Sequence, residues 1–112
     1  MKSFYDKEDY KISDIQSLID NEVEESIYLD FKASDALGKT DGKKKEISKD
    51  VASFANSDGG IIIYGIKEEN HKANSFTYID GNEFTKEWLE RVINSSIQRR
   101  IDEIKIIPIR QN

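Results

Sequence analysis

A chain of 112 residues with 37% hydrophobic and 35% charged side chains is long enough for one domain with its own core. It has no cysteine and a single histidine, His71, which excludes a disulfide framework, thiol catalysis and a closed zinc site built from several Cys and His ligands. The start is charged and no run approaches the ~18 apolar residues of a membrane span. The expectation is one cytoplasmic domain over residues 1–112, standing alone or forming the N-terminal part of a longer protein.

The net charge of −5 repels polyphosphates at long range, so the chain is no generic nucleic-acid coat. Its distribution is uneven: residues 1–37 carry a net −6, residues 38–50 a net +2 and residues 51–112 a net −1. An acidic front is followed by a short basic segment.

In chain order, Ser13 and Gln16 are spaced as a capping box, and Ile15, Leu18 and Ile19 give the helix that follows one apolar face. Residues 27–33 alternate as a half-buried strand, with Ile27, Leu29 and Phe31 on one side and Tyr28, Asp30 and Lys32 on the other. A loop over 34–42 leads through Lys43, Lys44 and Lys45 into a second helix with Ile47, Val51, Phe54 and Ala55 inward. Asn56, Gly59 and Gly60 end it. The apolar run Ile61–Ile66 reads as one strand covered on both faces.

A polar turn over 68–73 and a short strand over 76–79 come next. Thr85 can cap a third helix whose inward stripe is Trp88, Leu89, Val92, Ile93 and Ile97. Residues 104–109 alternate loosely as a last strand, with Pro108 marking an edge or an end. The sum is an α+β domain, a small mixed β-sheet with about three helices packed on it.

Three stretches together resemble the Schlafen AlbA domain. They are ESIYLDFK (Glu25 to Lys32), ISKDVASFANSDGGIIIYGIKE (Ile47 to Glu68), and a Trp-bearing helix followed by Ile107-Pro108. The likeness spans about residues 12–110. It implies a nucleic-acid-handling module, known from vertebrate Schlafen proteins and from bacterial proteins described as DNA-binding or transcriptional regulators. In vertebrate members a carboxylate trio supports metal-dependent RNA cleavage. The resemblance puts Glu25 and Asp30 in two of those positions with Lys32 beside them, and offers Glu68 for the third. Asp30 stands where the family usually has Glu, and Lys67 intervenes before Glu68.

Hard cations such as Mg²⁺ or Mn²⁺ need only one or two protein carboxylates plus a substrate phosphate, which Glu25, Asp30 and Glu68 could supply if their strands are neighbours. Lys32 would neutralise charge developing at the phosphate. The competing reading is an exposed Asp30–Lys32 ion pair worth about 0–1 kcal/mol. Lys43, Lys44, Lys45 and Lys49 form one basic patch, and Arg99 and Arg100 a second. Gly59 and Gly60 fit a turn better than a phosphate cradle, since no P-loop or dinucleotide fingerprint surrounds them. Asn56 reads first as a helix end. Tyr28 and Tyr64 suit strand packing better than base stacking. His71 reads as an exposed turn residue, and Trp88 as core.

Three functions follow from these features. The first is a nucleic-acid-binding regulatory module for DNA or RNA, using the two basic patches. The second is a Mg²⁺- or Mn²⁺-dependent endoribonuclease. The third is a protein-interaction domain whose acidic front never meets nucleic acid. A module of this size also leaves room for a homodimer.

Overall fold

The computed structural model describes residues 4–96 and 104–110. In order they form α1 (Ile12–Asp20), β1 (Leu29–Lys32), α2 (Asp41–Ala55), β2 (Ile61–Tyr64), β3 (Ile66–Glu69), β4 (Lys72–Phe76) and α3 (Lys86–Ser96). The domain is α+β, with a parallel pair β1–β2 and an antiparallel pair β3–β4.

Helix α1 begins one residue before the expected cap. Asp14 Oδ2 accepts the Lys11 backbone N–H at 2.8 Å, and Gln16 instead donates its amide to Asp20 at 2.9 Å. A carboxylate is the stronger acceptor for an orphan amide, so Asp14 displaces the Ser13–Gln16 box. Helix α2 likewise starts two residues ahead of the lysine run, because Thr40 Oγ1 accepts the Lys43 N–H at 3.2 Å and Asp41 suits the positive helix end.

Strand β1 is shorter than the alternation suggests. Ser26 and Leu29 exchange backbone hydrogen bonds of 3.0 and 3.3 Å across a tight turn, which leaves Ile27 75% exposed rather than inward. Leu29 and Phe31 are buried against α1, while Asp30 and Lys32 occupy the opposite face.

Helix α2 and strand β2 are joined through two glycines. The N–H groups of Ser57 and Gly59 donate to the Phe54 carbonyl at 3.1 and 3.0 Å, with Gly59 at φ +86°. Asn56 is the helix end. At Gly60 a β-carbon would lie 2.7 Å from the Phe54 ring and 2.9 Å from the Tyr28 carbonyl oxygen. That oxygen accepts the Ile61 N–H at 2.8 Å, the first rung of β2 on β1. Asp30 then pairs with Ile62 and Lys32 with Tyr64.

The run Ile61–Ile66 is two strands, not one. Gly65, at φ +107°, donates to the Lys32 carbonyl at 2.7 Å and accepts from Thr77 at 2.8 Å. The chain bends there from the parallel pair into the β3–β4 hairpin. The hairpin closes at Glu69 and Lys72 around Asn70 and His71, both at positive φ, the signature of the two-residue loop that matches strand twist. This tight loop places β4 over 72–76, earlier than the expected strand at 76–79.

Two apolar clusters pack on opposite sides of β1–β2. Ile15, Leu18, Leu29, Phe31, Ile66 and Ala73 form one, and Ile47, Trp88, Val92 and Ile93 the other. Thr85 Oγ1 accepts the Trp88 N–H at 3.0 Å at the start of α3, and Phe84 meets Trp88 edge-on at 5.1 Å. Ala55, expected inward, is exposed. Residues 104–110 pair with no strand among the described residues; Ile106 packs on the α2–α3 cluster and Ile109 on the α1 cluster. Pro108 has no N–H to give a ladder, and the segment is held by side-chain packing and by Lys105 Nζ, which donates to the Glu8 carbonyl at 2.8 Å. Ile97, Arg99 and Arg100 lie outside the described residues.

Two substitutions test this packing. Gly60→Ala is expected to cost about 1–3 kcal/mol in urea unfolding, because neither Phe54 nor the bonded Tyr28 carbonyl can retreat freely. The Ser48 hydroxyl is buried in α2 with no hydrogen-bond partner among the described residues. Ser48→Ala should therefore leave stability unchanged or raise it by about 1 kcal/mol.

Candidate metal and nucleic-acid site

The acidic end of the site is built by strand pairing. Residues 23–25 run antiparallel to the start of β4: Ala73 N–H donates to the Val23 carbonyl at 2.9 Å, and Glu25 N–H to the His71 carbonyl at 2.7 Å. Glu25 is thereby brought against the hairpin loop. A bulge between Lys67 and Glu68 shifts the register of β3, and Glu68 Oε2 accepts the His71 backbone N–H at 2.8 Å. Ligand atoms of Glu25, Glu68 and His71 all lie within 4.8 Å of one another.

Glu25 is the best-held member. Its Oε2 accepts the Phe31 N–H at 3.0 Å, and its Oε1 lies 3.4 Å from His71 Nδ1. Burial and the neighbouring Asp30 carboxylate push the Glu25 carboxyl above its ordinary value, against the lowering effect of the Phe31 N–H and of His71. A cation relieves that like-charge crowding, so the donor set fits a divalent metal. Asp30 lies beside Glu25 but outside the three-residue group.

Next along the same face comes an ion triad. Lys32 Nζ lies 3.4 Å from Asp30 Oδ2 and 3.6 Å from Asp50 Oδ2. Burial works against the ammonium, but the two acids outweigh it and hold the Lys32 pKa above the ordinary lysine value. Asp50 is pushed up instead, because burial, Asp30 and Glu46 together outweigh its one cation. Lysine sees two acids, whereas Asp50 sees one lysine and two acids.

Lys32 and Asp50 of this triad line a cavity of about 240 Å³ at the carboxyl ends of β1 and β2, together with Asp35, Lys43, Glu46 and Tyr64 among others. Clefts at that end of parallel strands are where open α/β sheets take ligands. The Tyr64 hydroxyl is buried without a partner among the described residues, and burial raises its pKa beyond the ordinary phenol range.

The structure divides the lysines. Lys43 lines the cavity with Glu46 and Asp50, its stem passing over Gly38. Lys44, Lys45 and Lys49 lie elsewhere on α2 and do not line the cavity, and Lys45 and Lys49 are exposed. Tyr28 is 40% exposed, while Tyr64 packs against the α2–α3 cluster.

Sequence reasoning misses Asp50 and His71 as members of the site. The signal for Asp50 is its place with Lys43, Glu46 and Ile47 on one helical face. The signal for His71 is Asn70-His71 lodged between two polar-alternating segments, a loop pair that presents its second side chain at a fixed place.

A family model described as Schlafen, AlbA_2 matches residues 25–110. No curated protein and no solved structure matches the chain. No helix among the described residues is long and apolar enough to cross a membrane.

The raised Glu25 pKa has a signed consequence. The folded state holds this proton more tightly than the unfolded chain, so the associated stability is present at low pH and is lost as pH rises through the raised value. In chelator-treated protein, Glu25→Gln should melt above wild type at about pH 7.5, and the difference should vanish at about pH 4. Thermal melts at the two pH values check it.

Proposed function

Because the chain belongs to the Schlafen, AlbA_2 family, we propose that it is a nucleic-acid-binding domain of regulatory type that takes the phosphate backbone along this polar face. The observation that supports this most is the convergence of Glu25, Glu68 and His71 next to Asp30 and the lysine-edged cavity. A chain of net charge −5 repels polyphosphates, and a divalent cation held by Glu25 and Glu68 offsets their negative charge locally. Lys32 and Lys43 then offer ammonium groups to adjacent phosphates, with Lys44, Lys45 and Lys49 further along α2.

The ion triad favours a second reading, RNA cleavage. When bound, Mg²⁺ or Mn²⁺ supplies a water of lowered pKa and charge neutralisation at the phosphate. Glu25 is oriented by the Phe31 N–H, and Lys32 is held by Asp30 and Asp50 where it can meet negative charge growing on a phosphate oxygen.

Fluorescence anisotropy with labelled RNA hairpins and DNA duplexes tests the first reading. Affinity is expected to be micromolar or weaker, to fall steeply with salt and to drop in EDTA. Replacing Lys43, Lys44 and Lys45 together by Ala should reduce the log-log salt slope by roughly one unit for each phosphate that is no longer neutralised. Unchanged affinity and slope in that variant would refute the proposal. Gel assays test cleavage: Mn²⁺-dependent cutting should vanish with EDTA and with Asp30→Asn, and persistence in Asp30→Asn would remove Asp30 from the chemistry.

A further inference from the structure

We propose that the cavity beside α2 takes a single guanine base, unpaired so that its Watson–Crick edge is free to enter. The inference rests on the reading that this face carries nucleic acid, and adds which base it selects.

The walls set the size of the ligand. Lys32, Asp50 and Tyr64 are half-buried beside the buried Ile47, whereas Lys43 and Glu46 stand exposed at the mouth. A volume of about 240 Å³ lies below the ~300–1,000 Å³ of clefts that enclose drug-sized ligands, so one ring system fits while a sugar and phosphate stay outside. The Tyr64 hydroxyl is buried on this wall without a hydrogen-bond partner among the described residues. Ser48, the other such hydroxyl, does not line the cavity. An unpaired buried hydroxyl is costly, and at Tyr64 a ligand in the cavity can supply the missing partner.

The chemistry of the inner wall selects the base. Asp50 presents two acceptor oxygens, and Lys32 Nζ stands 3.6 Å from one of them. A lysine has three N–H donors and this one meets two carboxylates, Asp30 and Asp50, which leaves one donor to spare. Side by side, the wall reads acceptor, acceptor, donor. That is the order in which cytosine meets guanine in a duplex, and guanine answers it with its N2 amino group, N1–H and O6. Uracil and adenine alternate donor with acceptor along the same edge, and cytosine carries the order of the wall itself. Burial, together with Asp30 and Glu46, pushes the Asp50 carboxyl up against the lowering effect of Lys32, and two N–H donors from a base offset that pressure. The competing reading of the cavity is a hydrated cleft around an internal ion pair, which would show no preference among bases.

The test uses uncleavable 2′-O-methyl oligouridine carrying one central guanosine, inosine, adenosine or cytidine, with the all-uridine parent, in Mn²⁺ buffer. Anisotropy with the wild-type chain should show the guanosine oligomer binding about tenfold tighter than the adenosine, cytidine and uridine ones. Inosine lacks the N2 amino group and should lose about threefold or more against guanosine. Tyr64→Phe should keep the melting temperature level or raise it and cut the guanosine preference about threefold. Asp50→Asn, which replaces one acceptor by a donor, should abolish the preference. GMP that competes as well as the oligomer would assign the guanine to a free nucleotide, and competition only at large excess would assign it to a strand; either result keeps the cavity as a guanine site. Equal wild-type affinity for all the oligomers, or a guanosine preference untouched in both variants, overturns this inference. If the oligomers still bind in that case, the nucleic-acid reading stands without a base pocket. If none binds, both fall.

Discussion

The parallel pairing of β1 with β2 is the contact on which everything else rests. Its first rung, Ile61 N–H to the Tyr28 carbonyl, forms only because Gly60 has no β-carbon to collide with that same oxygen and with Phe54. From that rung the register follows. One side of the pair closes on α1 and the other on α2 and α3. Asp30 and Lys32 are delivered to the α2 side, where Asp50 meets the lysine. A parallel pair of four residues is too short to stand alone, and the two apolar clusters, not the ladder, hold it together.

The site depends on a second junction. Gly65 turns the chain out of the parallel pair, and the hairpin it releases folds back onto residues 23–25. Glu25 and Glu68 are 43 positions apart in the chain, yet both are bonded to the backbone of one residue, His71. The consequence is electrostatic. Carboxylates that would repel in water are gathered where Glu25 is partly shielded, and this one acid holds its proton more firmly than usual. A few residues further on, the excess of acid is interrupted by Lys32. The polar face therefore alternates in sign.

Much of the fold is legible in the chain alone. The helical stripes around Leu18, Ile47 and Trp88, the cap at Thr85, the glycine turn and the α+β class follow from periodicity and local chemistry. The differences fall at the ends of elements. Ile27 reads as inward because period-two alternation says nothing about where a turn closes. The break at Gly65 is hidden in an unbroken apolar run, since periodicity cannot see a bend that a neighbouring strand imposes. The capping box at Ser13 is a sound local motif that loses to a better acceptor, Asp14, one position away.

The sequence by itself determined the inventory: a cysteine-free α+β chain with an acidic front, a short basic segment, and the ESIYLDFK and Asn-Ser-Asp-Gly-Gly stretches of its family. Those features are local, set by side-chain type and by spacings of a few residues. Tertiary structure alone decided which acids meet, that Asp50 joins Lys32, that Lys43 parts from the other lysines, and that His71 faces Glu25. Each of these depends on pairing between segments far apart in the chain. Such pairing is set by how two apolar clusters close around a shared sheet, which no local pattern encodes.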